Sequence, residues 1–142
     1  MTAIAAIVIN DGVATPVAHT FAPVTATDRN GVAQWADRSG GIAVGFPVLT
    51  FSSRLPSKAA GPNRAYKVTA KVVLPVLDIT SPSTGTGVQP APSVGYSLIG
   101  TCEFSLPERS TLAQRKDLLA FVKNYLANAV VTAGVQDFET VY

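Results

Sequence analysis

Charge is what this chain has least of. Only 14% of its 142 residues are Asp, Glu, Lys or Arg, against 47% apolar. So much apolar content excludes a disordered chain, and a surface so poor in charge points to one covered by copies of itself. Cysteine is nearly absent. Cys102 stands alone, which excludes an intrachain disulfide and a cysteine-based metal cluster; it reads as a small buried hydrophobe rather than a reactive thiol. His19 is the one histidine, and with no nucleophile or second ligand near it in sequence it reads as a strand residue. A Gly-rich phosphate loop, paired carboxylates at helical spacing and a metal-ligand cluster are all missing. Their absence argues against an enzyme and leaves no catalytic residue, metal or cofactor to assign. No apolar run reaches the ~18 residues of a membrane span and the N-terminus lacks a basic leader region, so no membrane partner is expected and the chain is expected to be made in the cytosol.

One further absence is local. From residue 38 to 76 there are six basic residues (Arg38, Arg54, Lys58, Arg64, Lys67, Lys71) and no acidic one, while the remainder holds five basic and nine acidic residues. The net charge of +2 is therefore +6 in one segment and −4 elsewhere. An electropositive block of this kind is the footprint of a polyanion partner.

Within that block, residues 63–76 alternate with a period of two. Tyr66, Val68, Ala70, Val72 and Leu74 fall on one side, and Lys67, Thr69 and Lys71 on the other. Such a strand buries one face and offers the other to water or a ligand. The two lysines are separated by two strand repeats, each about 6.5–7 Å long, a repeat close to the spacing of neighbouring phosphates along a nucleic-acid strand. The preceding run repeats the pattern: Thr50, Ser52 and Arg54 alternate with Leu49, Phe51 and Ser53. Two adjacent antiparallel strands with matching polar faces would make a two-dimensional patch.

The other elements follow in order. Residues 3–10 and about 14–26 read as a hairpin turning at Asn10-Asp11-Gly12. Asp28-Arg29-Asn30-Gly31 is a second turn, leading into a short strand over 32–37 with Trp35 in it. The β-rich run over 42–51 is interrupted at Pro47, and 56–62 is a loop. Residues 78–93 form a long Pro-, Gly- and Ser/Thr-rich connection, of a length usually functional or mobile. A strand over 94–106 closes at Pro107, with Cys102, Phe104 and Leu106 on one face and Thr101, Glu103 and Ser105 on the other. Thr111 and Gln114 have capping-box spacing, and Leu112, Leu118, Leu119, Val122, Tyr125 and Leu126 recur at helical spacing after them. A short second helix over 128–133 is expected to end at Gly134, followed by an extended tail. The class is α+β in one domain: hairpin over 1–27, sheet over 32–107, helices over 110–134, tail over 135–142. The helical apolar stripe fits either the chain's own core or a second subunit.

The order of these pieces resembles the coat proteins of the small single-stranded RNA bacteriophages, the leviviruses, over nearly the whole chain. Asn30-Gly31-Val32-Ala33-Gln34-Trp35 is similar to that family's turn into its first sheet strand. Residues 63–71 (Asn-Arg-Ala-Tyr-Lys-Val-Thr-Ala-Lys) resemble its RNA-facing central strand. Glu108-Arg109-Ser110-Thr111 followed by Arg115-Lys116-Asp117-Leu118 resembles its strand-to-helix junction, and a terminal Tyr142 is also shared.

The resemblance implies an N-terminal hairpin, a five-stranded antiparallel sheet, and two C-terminal helices that interlock with a dimer partner. Dimers would close into an icosahedral shell around single-stranded genomic RNA, and a dimer would also bind an RNA hairpin as a translational repressor. The setting implied is the virion, with assembly in the host bacterial cytoplasm. By position, Thr69 and Lys71 match the family's RNA-facing pair and Lys67 extends it. Thr50, Ser52 and Arg54 match in type, and Thr101 and Glu103 join them if Pro107 anchors the register. Leu118, Leu119, Val122, Tyr125 and Leu126 would form the dimer interface. Ile99 stands where other members carry an aromatic that stacks on a flipped base, and Tyr96 has the opposite parity. The 78–93 connection would meet its symmetry mates and carries no cysteine for inter-subunit disulfides. Two rival readings are a dimeric RNA-binding repressor that forms no shell and a β-rich structural protein of another virus with no RNA role.

Overall fold

A computed structural model describes residues 3–27, 31–56, 64–78 and 91–141. The strands are β1 (Ile7–Asn10), β2 (Ala18–Thr25), β3 (Val32–Ala36), β4 (Val48–Arg54), β5 (Ala65–Leu77) and β6 (Val94–Pro107). They are followed by the helices α1 (Leu112–Leu126) and α2 (Ala129–Gln136). The six strands form one sheet in sequence order, every neighbouring pair antiparallel. The expected hairpin and five-stranded sheet share a strand: β2 pairs with β1 on one side and with β3 on the other, so the count is six. Lys58, the turn residues 28–30, most of the 78–93 connection and Tyr142 lie outside the described residues.

The first connection departs from a tight turn. Residues 11–17 link β1 to β2, and Gly12 is not among the positive-φ glycines. Asp11 organises this longer loop instead. Its N–H donates to Val17 O at 3.0 Å, and its carboxylate accepts the Val17 N–H at 2.9 Å. Of the expected 28–31 turn only Gly31 is among the described residues, and it is left-handed at φ 75°, a conformation glycine adopts without steric cost. Pro47 breaks the 42–51 run as expected: Ala43–Gly45 is a short 3-10 turn, and β4 starts after the proline.

At the junction of sheet and helices the capping box is complete. Thr111 Oγ1 accepts from Gln114 N at 3.2 Å, and Thr111 N donates to Gln114 Oε1 at 2.9 Å, satisfying two otherwise orphaned donors. Arg115 reaches back to the Ser110 carbonyl at 2.6 Å. Asn128 caps α2 through Val130 N at 3.0 Å. Here the expected end point moves. The second helix runs through Gly134 to Gln136, the first residues of the expected tail are helical, and Phe138, not glycine, takes the left-handed conformation at φ 57°. A glycine inside a helix costs it some stability but does not stop it, because its backbone can still hydrogen-bond in the helical pattern. A bend of 54° separates the two helices, and among the described residues no single helix is long and apolar enough to cross a membrane.

Packing is where the chain is incomplete. Phe21, Trp35 and Leu49 form the buried cluster, joined by half-buried Ile4, Ile7 and Ala33, and Trp35 Nε1 donates to Ala5 O at 2.8 Å. No residue of either helix is buried. The helices pack on each other, and their contact with the sheet of their own chain is marginal, at the end where Arg115 stands beside Tyr66, Val68 and Leu106. The chain exposes 11023 Å², against ~7,000 Å² for a compact monomer of 14.8 kDa. Much of the excess is apolar: Phe51, Tyr96 and Leu98 on the sheet and Leu119, Phe121 and Tyr125 on α1 are all open to solvent.

Candidate nucleic-acid interface

The register across β3 to β6 decides which side chains share a face, because directly paired residues project to the same side. Arg54 pairs with Lys67, and Lys67 with Ser105. Ser52 pairs with Thr69, and Thr69 with Glu103; Thr50 pairs with Lys71, and Lys71 with Thr101. All eight residues expected at the RNA face therefore lie on one side of the sheet, in three rows across three strands. The patch is about 10 Å wide and 13 Å long. Pro47 and the nearby glycines interrupt the alternation ahead of β4, and its register is set by seven consecutive pairs with β5.

The rows extend further than sequence indicated. On β3, Val32 pairs with Ser52 and Gln34 with Thr50, adding an amide to the third row. Ser105 adds a hydroxyl opposite Lys67. The signal for both was parity alone, which is weak in a five-residue strand such as β3. A fourth row, Val48–Val73–Ile99, bounds the patch with aliphatic side chains. Ile99 thus does lie on the polar face. Tyr96 pairs with Val76 and lies on the opposite one, so no aromatic stands beside the grid on β6.

Accessibility varies across the grid. Arg54, Lys67, Thr101 and Glu103 are exposed, while Thr50, Thr69 and Lys71 are half-buried. Ser52, at 9% exposure, is buried on the floor of the patch between Val32 and Thr69, so its hydroxyl is the least available of the eight. Lys67 Nζ lies 2.9 Å from Glu103 Oε1, both side chains about half exposed. A pair in that setting contributes at most ~1 kcal/mol to stability, but it neutralises one of the three cations locally. Arg54 and Lys71 have no side-chain partner among the described residues. Two unpaired cations flanked by hydroxyls suit phosphate oxygens, which accept hydrogen bonds from both groups.

The reverse face continues the apolar alternation. Tyr66, Val68, Ala70, Val72 and Leu74 lie opposite Leu106, Phe104, Cys102, Gly100 and Leu98. Cys102 is half-buried there between apolar neighbours. Of the expected interface residues on α1, Leu118, Leu119, Tyr125 and Leu126 are exposed and Val122 is half-buried. Leu112 and Phe121, also exposed, extend the same helix surface. The N-terminal hairpin covers the apolar face around Trp35 and Leu49, while Phe51, Tyr66 and Leu98 and the stripe on α1 remain exposed.

The family model for the levivirus coat protein matches residues 2–142. The chain belongs to the levivirus coat protein family. The chain is similar in structure to the virus-like particle of bacteriophage ESE058, at 33% identity over 98% of this chain and 99% of that one, with a TM-score of 0.90. The virus-like particle of bacteriophage NT-214 matches at 31% identity over 98% of each chain, with a TM-score of 0.82. The bacteriophage GA protein capsid, at 18% identity over 96% of each chain and a TM-score of 0.70, shares the fold. No curated protein sequence matches. The family is structural, not enzymatic, and this coat protein has the family's antiparallel sheet with two C-terminal helices.

Proposed function

We propose that this coat protein forms homodimers through its helices and apolar sheet face, that the dimers close into an icosahedral shell, and that the polar grid binds the single-stranded genomic RNA inside. The observation that carries the RNA reading is the register: Arg54, Lys67 and Lys71 share one face with Thr50, Ser52, Thr69, Thr101 and Glu103. The exposed apolar residues on α1 and the sheet, Leu119, Phe121, Tyr125, Tyr66 and Leu98 among them, support the dimer, because apolar surface of this extent calls for a covering partner. Relatives of similar length and fold form virus-like particles. Each RNA contact needs little affinity, because many copies act together on one polymer, and contacts to phosphate give salt-sensitive binding with little sequence preference.

The same face on a free dimer would bind an RNA hairpin and so repress translation. Single-stranded loops are the RNA elements whose bases side chains read. With Ile99 where an aromatic platform would stand, that readout rests on hydrogen bonds from Thr50, Thr69, Thr101 and Glu103 and on aliphatic contact, not on stacking.

Expression of the chain alone tests both levels. Size exclusion with absorbance at 260 and 280 nm, followed by electron microscopy of the void fraction, is expected to give closed particles rich in nucleic acid. A soluble dimer that binds RNA without forming particles would favour the repressor without a shell. Particles free of nucleic acid would remove the RNA role.

A further inference from the structure

Three titratable side chains outside the polar grid converge where the N-terminal hairpin meets the sheet. Asp37, just beyond β3, is 3% exposed. Its Oδ1 accepts from Ser39 N at 2.9 Å, and its Oδ2 lies 2.7 Å from His19 Nδ1. The other ring nitrogen, Nε2, lies 3.5 Å from Asp11 Oδ2, within ion-pair distance. Ionised carboxylates only accept hydrogen bonds. An imidazole with a carboxylate at each nitrogen therefore satisfies both only as the imidazolium, with an N–H on either side.

The position of this cluster gives it leverage. Asp11 shapes the 11–17 loop, His19 is on β2, and Asp37 follows β3, so the three tie the hairpin to its neighbour. The β2–β3 ladder pairs only Ala22, Pro23 and Thr25 and is irregular there, so the first half of β2 has no strand partner on that side. The other charged group facing His19 is Arg38, which lines the same depression and forms no ion pair there among the described residues. On its other side His19 borders an apolar groove lined by Ile9, Phe21, Pro47, Leu49, Val72 and Leu74, where Asp11 is the one further titratable group. Among the described residues no group of three His, Cys, Asp or Glu is placed to hold a metal ion, which leaves the proton as the agent.

We propose that Asp11, His19 and Asp37 form a proton-gated clamp that fastens the N-terminal hairpin to the sheet, closed when His19 is the imidazolium and loosened when it is neutral. The electrostatics agree in sign. The hydrogen bond to Asp37, the largest influence, holds His19 above its ordinary 6.5. Backbone N–H donors, Val17 for Asp11 and Ser39 for Asp37, lead the causes that hold both carboxyls below their ordinary 3.8. A raised histidine contributes fully below 6.5 and loses that contribution as pH climbs through its folded value; the lowered carboxylates contribute above 3.8 and lose theirs as pH falls through their folded values. The clamp is complete between those limits and opens on the alkaline side.

Hydrogen exchange read by mass spectrometry on the purified 142-residue chain between about pH 5.5 and 9 tests this, because one histidine gives one unambiguous titration from its Cε1–H exchange. After correction for the intrinsic pH dependence of exchange, protection of peptides over 7–25 is expected to fall across the His19 midpoint. The fall is at most about tenfold for each pH unit by which that midpoint exceeds 6.5, while peptides over 94–107 stay flat. In His19→Gln the step is expected to vanish, and in Asp37→Asn the midpoint drops toward 6.5 and the step shrinks. Flat hairpin protection in the native chain, a midpoint at or below 6.5, or an unchanged step in His19→Gln overturns the clamp. Should either variant fail to fold, the native titration decides alone. RNA content is not a readout, so the test stands apart from the RNA reading.

Discussion

The two faces of the sheet are built by the same alternation and end in opposite conditions. On the polar face one chain supplies every row of the grid, and all its side chains but Ser52 reach water as they stand. On the apolar face the N-terminal hairpin covers Trp35 and Leu49 and borders Val72 and Leu74, while Tyr66 and Leu98 stay open and the helices do not cover them. A face that binds a polyanion works from exposed hydroxyls and cations and needs no partner to be stable. An apolar face left open is stable only when a second body covers it. The contrast separates what a single chain does from what the assembly must complete.

The largest effect should come from breaking the uncovered side. Leu119→Asp on the exposed stripe of α1 would place a charge in the proposed dimer contact at a cost of several kcal/mol. Analytical sedimentation should then show loss of particles, with aggregates or unfolded monomer in their place. Unaltered particles would mean the helix faces solvent in the assembly, and the two faces would no longer differ in this way.

Breaking the polar side should be milder and should leave the shell intact. Arg54→Ala with Lys71→Ala removes the two cations without a side-chain partner. Particles should form while RNA affinity falls about tenfold or more per site, and the slope of log affinity against log salt should flatten by about 0.7 for each phosphate no longer neutralised on a single strand. Failure to assemble with RNA affinity retained would reverse the roles of the two faces.

The smallest expected change sharpens the polar face itself. Glu103→Gln releases Lys67 from its 2.9 Å partner and removes the one negative charge among the eight grid residues. RNA affinity should rise a few-fold in a filter-binding assay, while stability moves by no more than the ~1 kcal/mol an exposed pair contributes. A fall in affinity would instead make Glu103 an acceptor for a base amino group.

Much of this was legible in the chain because it rests on local periodicity. Lys67, Thr69 and Lys71 share a face in any extended strand, and Thr111 with Gln114 caps a helix wherever that helix goes. What was not legible turned on loop geometry, on a helix continuing past its signal, and on pairing between distant segments. The connection after Asn10 reads as a tight turn, yet Asp11 draws in the Val17 N–H and lengthens it. Gly134 reads as a helix end, yet the helix passes through it. His19 reads as an isolated strand residue because Asp11 and Asp37 are 8 and 18 positions away, and no spacing rule joins them.

By itself, then, the sequence determined the two faces of each strand, the cap of α1, the basic block and the family to which the chain belongs, since alternation, capping and charge are properties of short segments. The tertiary structure decided that eight residues from three strands meet as one grid, that Ser52 lies buried within it, that a histidine stands between two carboxylates, and that the helices leave their own sheet uncovered. Those outcomes are set by strand register and by the path of the chain between elements, and both depend on long-range packing that no local pattern encodes.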